Sequence, residues 1–358
     1  MRILFATSDY FPERGGLQTS IEKLVHWLNS RGHNCALLVY ANRRDLITPK
    51  NLCTGFLWKL FRQPFVISDN TFPYPVYRTK TPFEILSKLK KTFKPDILVC
   101  VVGGSHTIHF SKRLCMAVGD LPTSIYIFDR QGVAFASDST SANTHVIANA
   151  EVIASLIAER HTRPPVVPCI VDSKECLVNS TRKVILYINP HPRKGEKLAW
   201  AIAEAAHELK FVFQESWRLN ENRRMEIINR AKKLGNVEFR PVTDRSSEIY
   251  RDARVLLAPY GPERPRVVDE AQANGIPVVA SDVGGLNESV GPGGVLIDPF
   301  GSIDDWISVL KRLESDHVYY EKLASAALSH SKRLELRPEY IVDLFEHELH
   351  CAIERSKN

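Results

Sequence analysis

The sequence predicts an α/β protein built from two doubly wound, Rossmann-like domains with a ligand cleft between them. Three observations support this fold class. Short apolar runs alternate with amphipathic stretches along the chain, as parallel sheets covered by helices require. The length of 358 residues exceeds the size at which one hydrophobic core usually stops growing. The alternation breaks near residues 171–182 and then starts again.

The first predicted domain covers residues 1–171. An amphipathic period over residues 21–28 predicts a helix that ends at Gly32. Residues 41–82 are rich in proline, asparagine and aromatic side chains and show no stable period, so no element is predicted there. Apolar runs predict strands at 2–8, 35–40, 96–102, 123–128 and 144–148.

The second predicted domain covers residues 183–337 and repeats the same rhythm. A final segment, 338–358, opens with Pro338 and carries an apolar helical stripe that needs a partner surface. The strands predicted for this domain are 183–188, 210–214, 236–240, 254–259, 276–281 and 293–297.

Composition is that of a soluble globular protein, with 44% hydrophobic and 25% charged residues. No apolar run reaches the roughly 20 residues that span a bilayer, and Ser8-Asp9 interrupts the opening run too early for a signal peptide. The seven cysteines are scattered without a Cys-x-x-Cys pair, so the sequence indicates neither a disulfide framework nor a thiolate zinc site. We expect a cytoplasmic protein.

Charge is unevenly distributed along the chain. Residues 1–170 hold 20 Lys+Arg against 12 Asp+Glu, a net +8, whereas the remainder holds 27 against 29, a net −2. Residues 56–62 and 86–94 mix cations with leucine or aromatic side chains and are candidates for peripheral contact with an anionic membrane at its inner face. The alternative is an ordinary helix with a solvated basic face. The basic residues are dispersed and accompany no recognised motif, so nucleic acid is not an expected partner.

Two loops suit a phosphorylated ligand. Gly15-Gly16 follows the first strand and leads into a helix, whose start presents N–H groups to an anion. The chain has no Gly-x-Gly-x-x-Gly and no Walker lysine, and a plain turn explains this pair equally well. In the second domain, the strand at 183–188 runs through a loop to Lys194-Gly195 at a helix start. A lysine there can neutralise a phosphate leaving group, and the alternative is a solvated surface lysine.

A third segment is the most specific. A helix is predicted from Pro265 to Gly275, and the N–H groups of Arg266 and Val267 at its start form an anion site. Glu270 follows within the second turn, where its carboxylate can accept hydrogen bonds from ligand hydroxyls. A nucleotide sugar requires N–H groups that bind its phosphates and, beside them, a carboxylate that binds its vicinal hydroxyls. The alternative is that Glu270 only offsets the helix dipole.

These residues make the chain similar to a known family. It resembles the retaining GT-B glycosyltransferases of family 4, also called glycosyl transferases group 1, over roughly residues 1–40 and 96–300. The segments that carry the resemblance are 270–281 (EAQANGIPVVAS) with Gly284-Gly285, then Gly15-Gly16, Lys194-Gly195 and 167–172 (VPCIVD).

The resemblance implies transfer of a sugar from a nucleotide-sugar donor to an acceptor hydroxyl with retention of anomeric configuration. It implies that Lys194 contacts the donor diphosphate, that Glu270 contacts the ribose hydroxyls, and that Gly15-Gly16 faces the donor across the cleft. It also implies that the helix after Pro338 returns to the first domain. The expected acceptor is a glycan or glycolipid, in polysaccharide, lipopolysaccharide or other glycoconjugate synthesis, and no cofactor or metal is expected.

The chain departs from the family pattern at several positions. The first of the family's paired glutamates falls at Pro262, and the nearest carboxylate is Glu263. The usual arginine is replaced by Asn189, for which Arg193 or His191 can compensate. The catalytic candidates are thus Lys194, Glu263 and Glu270, and the donor-binding candidates are Gly15, Gly16, Asn189, Arg193, Lys194, Arg266, Val267 and Glu270.

The family's His-Asp pair appears here as Phe128-Asp129, which leaves Asp129 and the nearby His106 as acceptor-side candidates. These departures keep two alternatives open. One is a catalytically weak subunit that binds a nucleotide sugar without turnover. The other is a different GT-B enzyme, such as a sugar-nucleotide epimerase or an inverting transferase.

We predict that transfer is independent of metal ions. No Asp-x-Asp run follows a predicted strand, and Lys194 with the helix-start amides supplies positive charge for the phosphates. Excess EDTA is expected to leave the rate of transfer unchanged. A loss of transfer in EDTA that magnesium or manganese restores would contradict the prediction.

Overall fold

The computed structural model describes residues 1–12, 15–41, 66–69, 71–138, 144–261 and 263–357. The chain divides into two compact units, each with its own core. The units are Met1–Glu13 with Leu17–Cys169 and Glu339–Asn358, and Arg14–Gly16 with Ile170–Pro338.

The first unit is an α/β sandwich around a seven-stranded sheet. Its strands are β1 (Arg2–Thr7), β2 (Asn34–Tyr40), β3 (Val66–Asp69), β4 (Val76–Thr79), β5 (Ile97–Val102), β6 (Thr123–Ile127) and β7 (Thr144–Ala148). Its helices are α1 (Gly16–Ser30), α2 (Pro82–Thr92), α3 (Ser105–Ala117), α4 (Gln131–Asp138) and α5 (Glu151–Ala158), with the last helix of the chain, α14 (Pro338–Arg355).

The second unit has the same layered plan around a six-stranded sheet. Its strands are β8 (Val184–Ile188), β9 (Phe211–Gln214), β10 (Val237–Arg240), β11 (Ala253–Ala258), β12 (Val278–Ser281) and β13 (Gly294–Ile297). Its helices are α6 (Ser173–Cys176), α7 (Glu196–Ala205), α8 (Glu221–Leu234), α9 (Ser246–Tyr250), α10 (Arg266–Ala273), α11 (Gly285–Val290), α12 (Ile303–Ser315) and α13 (His317–His330). Short 3-10 turns occupy Pro192–Lys194, Gly291–Gly293 and Leu334–Leu336.

Strand order confirms the doubly wound fold class. The first sheet runs β3-β4-β2-β1-β5-β6-β7 and the second runs β10-β9-β8-β11-β12-β13. Between described strands, every pairing is parallel except that of β3 with β4. The order reverses between β1 and β5 in one sheet and between β8 and β11 in the other. Such reversals are where doubly wound sheets bind ligands.

Strands β3 and β4 lie in the part of the sequence for which no element was predicted. Each has only four residues, and β3 joins the sheet edge antiparallel to β4. Arg78 of β4 is buried and its guanidinium lies 2.7 Å from the carboxylate of Asp69. A charged side chain buried by pairing breaks the apolar alternation, so the pattern carries no strand signal there.

Helix α14 packs on the first unit. The ring of Phe345 stacks on Phe5 of β1 with centroids 6.2 Å apart and contacts Tyr126 of β6 at 5.5 Å. Leu349 is fully buried, and Ile341 almost so. Burial of this stripe contributes on the order of 25 cal/mol per Å² of apolar area removed from water.

Polar contacts fix the position of the same helix. Glu348, near its middle, lies 2.7 Å from Nε2 of His145 in β7, and Arg355 lies 3.1 Å from Nδ1 of that ring. Glu346 lies 3.0 Å from His33. Arg31 pairs with Asp343 and Glu346. Because Glu348 and His145 are both largely buried, each supplies the polar partner that the other needs.

The membrane hypothesis concerned two segments. Residues 56–62 lie outside the described residues. Residues 86–94 fall mostly in α2, where Leu86 and Leu89 are buried in the core and Lys88 and Lys91 are exposed. This is the arrangement of an ordinary helix with a solvated basic face. In the described part of the chain, no helix combines the length and the apolar character needed to cross a membrane.

We predict that acid weakens the attachment of α14 through His145. Burial lowers the pKa of His145 below its ordinary value, more than the neighbouring Glu348 raises it, and Arg355 lowers it further. The folded state therefore binds fewer protons than the unfolded state. The stability that neutral His145 contributes is complete above its unfolded pKa of about 6.5 and is lost as the pH falls through its lower pKa in the folded state. As the pH is lowered from about 7.5 to about 5.5, the urea concentration at the unfolding midpoint should decrease. The decrease should be smaller for His145→Gln.

His191 and His330 also have lowered pKa values and add to the acid dependence of the wild-type protein. The informative quantity is thus the difference between wild type and His145→Gln. Equal slopes for the two proteins would show that His145 does not couple folding to pH.

Candidate functional site

An ion pair spans the point where strand order reverses in the second sheet. Lys194 lies in the loop after β8, and Glu263 lies in the loop after β11. The ammonium Nζ of Lys194 donates to Oε2 of Glu263 at 2.6 Å. The Lys194 side chain is 11% exposed and that of Glu263 is 35% exposed, so the pair opens to solvent on the carboxylate side.

Aromatic rings surround the same ammonium. The Nζ atom lies 5.2 Å from the ring centroid of Trp217, in the loop after β9, and 5.3 Å from that of Tyr260. The ring of His191 packs edge-on against Trp217, with centroids 5.4 Å apart. Both distances from Nζ are in the range of cation–π attraction, which holds a charged lysine in a partly desolvated place.

Gly195 makes the Lys194 loop possible. Its φ of +68° is in the left-handed region that favours glycine, and a Cβ at this position would lie 1.6 Å from the carbonyl oxygen of Pro259. The loop is further held by Tyr187, whose hydroxyl donates to the Lys194 carbonyl at 2.8 Å. Close approach of the two backbones thus brings the Lys194 loop against the loop that follows β11.

Asn189 shapes the neighbouring loop. Its φ is +64°, a conformation that asparagine tolerates better than most residues. Its side-chain oxygen accepts hydrogen bonds from the backbone N–H groups of Ser216 at 3.1 Å and Trp217 at 2.6 Å. This oxygen therefore fixes the loop that carries Trp217.

Arg193, the next donor-binding candidate, is exposed in the Pro192–Lys194 turn, and its backbone N–H donates to Nδ1 of His191 at 3.2 Å. Burial, and then the charge of Arg193, lower the pKa of His191. A neutral ring is the form that accepts this hydrogen bond.

Helix α10 provides the second part of the site. It begins at Arg266, and its first turn leaves the N–H groups of Arg266 and Val267 without intrahelical acceptors. Oε1 of Glu270 lies 3.1 Å from the Arg266 guanidinium, and Oε2 accepts a 2.6 Å hydrogen bond from the hydroxyl of Tyr250. Burial and the charge of Glu270 raise the pKa of Tyr250 well above its usual value, so this hydroxyl remains a donor.

The Gly284-Gly285 turn supports the start of this helix. A Cβ on Gly285 would lie 2.6 Å from the backbone nitrogen of Arg264, so the turn after β12 packs directly against the β11 loop. The guanidinium of Arg264 lies 3.0 Å from Asp269, whose side chain is 2% exposed. This buried pair ties the loop to the helix that follows it.

The structure thus brings together Lys194 with Glu263, and Arg266 with Glu270. Gly16 is the first residue of α1 and follows Gly15. Oδ1 of Asp129 accepts a 3.0 Å hydrogen bond from the Gly132 N–H at the start of α4, a helix-capping role. Pro262 and the side chain of His106 lie outside the described part of the chain. Within it, no three His, Cys, Asp or Glu side chains group to hold a metal ion.

Three aromatic residues of the site, Trp217, Tyr250 and Tyr260, were not predicted from the sequence. Tyr260 had a usable signal, because it follows a predicted buried strand at the sheet edge where ligands bind. Trp217 and Tyr250 had none, because each reaches its partner through the tertiary fold.

We predict that Gly195→Ala destabilises the second unit far more than Gly235→Ala. Gly235 also has positive φ, +81°, but an added Cβ would meet nothing within 4 Å. Gly235→Ala should therefore cost about 1 kcal/mol of backbone strain, and Gly195→Ala more than about 3 kcal/mol because the backbone at Pro259 must also move. Urea unfolding followed by fluorescence of the buried Trp200 and Trp306 measures both. Equal losses would contradict the close approach.

Comparison with known proteins supports this architecture. The family model described as glycosyl transferases group 1 matches residues 183–316, which include Lys194, Glu263 and Glu270. The HepE protein of Anabaena, solved in complex with UDP-glucose, shares the fold with a TM-score of 0.72 at 16% identity, over 98% of this chain and 100% of that one. Sucrose-phosphate synthase from Thermosynechococcus elongatus has a TM-score of 0.72 at 17% identity, over 97% and 98%.

Curated relatives match this chain either over a short stretch or, over most of its length, at low sequence identity. The D-inositol 3-phosphate glycosyltransferase of Streptomyces bingchenggensis is 38% identical over 102 residues, 27% of this chain and 22% of that protein. The enzyme of the same name from Acidothermus cellulolyticus is 25% identical over 340 residues, 80% and 75% of the two chains. The chain thus covers about a quarter or less of the first relatives it matches. These matches show that the chain has the GT-B fold and that residues 183–316 are similar to the glycosyl transferases group 1 family.

Proposed function

We propose that this protein transfers a sugar from a nucleotide-sugar donor to an acceptor hydroxyl, with retention of anomeric configuration. The observation that carries the proposal is the placement of a partly buried lysine and a helix start on the two sides of one strand-order reversal. Lys194 lies on the β8 side, and the loop that leads to α10 lies on the β11 side.

The donor diphosphate is the part of the ligand that these groups suit. Lys194 supplies a full positive charge in a partly desolvated place, and the N–H groups of Arg266 and Val267 supply hydrogen-bond donors at the positive end of a helix. Both stabilise the charge that develops on the departing nucleoside diphosphate. No metal or cofactor is required in this proposal.

Glu270 is the candidate for the ribose hydroxyls. Its carboxylate is held by Arg266 on one oxygen and by Tyr250 on the other, which fixes the direction of the remaining lone pairs. Its side chain is 13% exposed, so it has a restricted opening to a ligand. A carboxylate oriented in this way can accept hydrogen bonds from vicinal hydroxyls.

In the proposed reaction, the bond between the anomeric carbon and the diphosphate oxygen breaks and its electron pair stays with the diphosphate. The acceptor oxygen forms the new bond to the same carbon. The hydroxyl proton of the acceptor passes to the departing phosphate oxygen, so no protein base is needed. We propose a glycan or glycolipid as the acceptor, in glycoconjugate synthesis.

UDP is the first nucleotide to test, because a protein of the same fold was solved with UDP-glucose. A panel of UDP, GDP and ADP sugars should identify the donor by thermal stabilisation. A ligand at about 100 times its dissociation constant adds about 2.7 kcal/mol to the stability of the protein that binds it. Proton NMR of the product then distinguishes retention from inversion.

We predict that Lys194→Met weakens binding of the nucleoside diphosphate at least about tenfold, because a charge-assisted contact to phosphate is lost. The matched control is Lys311→Met, since Lys311 also lies 2.6 Å from a carboxylate, that of Glu208, but on an exposed surface. Titration calorimetry measures both. The proposal fails if both variants bind the nucleotide as tightly as the wild type does. If the wild type binds the nucleotide sugar without turnover, a donor-binding subunit is favoured instead.

A further inference from the structure

Glu263 holds the ammonium that the proposed donor diphosphate needs. The Glu263 carboxylate lies 2.6 Å from Nζ of Lys194, the distance at which a phosphate oxygen would bind. The rings of Trp217 and Tyr260 face the same ammonium. Ring faces attract a cation but do not replace an anion. A phosphate that reaches Lys194 must therefore displace Glu263 or share the ammonium with it.

We propose that Glu263 competes electrostatically with the diphosphate for Lys194 and thereby promotes release of the nucleoside diphosphate product. This inference rests on the proposed function. It gives Glu263 a role different from the contact with the donor sugar that the family resemblance suggests.

Charge explains why the competition acts more strongly on product than on donor. In the donor, both phosphates are esterified or bridged, and each carries one negative charge. When the anomeric bond breaks, the terminal phosphate gains an electron pair, and near neutral pH the proton from the acceptor is largely lost to solvent, since such a phosphate has a pKa of about 6. The product thus carries an additional negative charge next to the Glu263 carboxylate.

The surroundings of the pair make this repulsion effective. Lys194 is 11% exposed, so charges beside it are screened less than charges on an open surface. Glu263 is 35% exposed, so its side chain has solvent to move into when the donor arrives. The donor can offset the lost ion pair through the α10 amides and Glu270, whereas the more highly charged product faces greater repulsion.

The test is Glu263→Gln, which keeps the shape of the side chain and removes its charge. We expect the dissociation constant of UDP to fall about tenfold and that of UDP-glucose to fall by no more than about threefold, measured by calorimetry. UDP should also become a stronger product inhibitor. The matched control is Glu204→Gln, because Glu204 lies 2.6 Å from Arg230 in an exposed ion pair of the same unit and should change neither constant.

A second variant keeps the test decisive if Glu263→Gln alters folding. Glu263→Ala also removes the carboxylate, so it should strengthen the binding of UDP more than that of UDP-glucose, as Glu263→Gln does. Weaker binding of UDP-glucose with unchanged UDP would instead assign Glu263 to the sugar and overturn the inference. Unchanged binding of both ligands would overturn it as well. A wild-type protein that binds none of UDP, GDP and ADP would refute the proposed function itself.

Discussion

The reversal of strand order between β8 and β11 is the constraint on which the candidate site depends. From β8 the chain crosses toward β9, and from β11 it crosses toward β12, in opposite directions along the sheet. Because such crossovers are right-handed, the two connecting helices cover opposite faces and their leading loops diverge. Lys194 lies on one loop and Glu263 on the other. Their ion pair adds a side-chain link between two loops whose backbones already meet at Gly195 and Pro259.

The supports of the site are backbone features more than side-chain contacts. Gly195 allows the Lys194 loop to touch Pro259, and Gly285 allows the β12 turn to touch Arg264. Asn189 uses a left-handed conformation and one carbonyl oxygen to fix the loop that carries Trp217. Each support leaves little freedom to the backbone beside it, so the charged groups start from defined positions.

Much of the fold could be predicted because its physical signals are local. The strands that the sheet buries on both faces are continuous apolar runs, as in β5, which was predicted at 96–102 and spans Ile97–Val102. Strands β3 and β4 carried no such signal, since Arg78 is buried by an ion pair with Asp69 that no sequence period reveals. Helix α14 was predicted from Pro338 and its apolar stripe, but the buried Glu348 within it depends on His145, about two hundred residues earlier.

The candidate site likewise has a part that could be predicted from sequence and a part that depends on the tertiary fold. The types and spacing of Lys194 and Glu270 sufficed to select them, whereas the partners that orient them come from other strands and helices. Those partners also change the local charge of the site. Residues 171–358 carry a net charge of −2, which by itself does not favour an anionic ligand.

Among those residues, however, Lys194 and Arg266 are each paired with one carboxylate, and their charges are balanced before any ligand arrives. In the proposed function, binding of a diphosphate depends on an exchange of partners at Lys194 and on the helix-start amides, which carry no net charge. Net charge counts whole side chains and is insensitive to such an exchange. In the proposed function, selectivity for a phosphorylated ligand depends on local geometry, at distances of about 3 Å, and not on net charge.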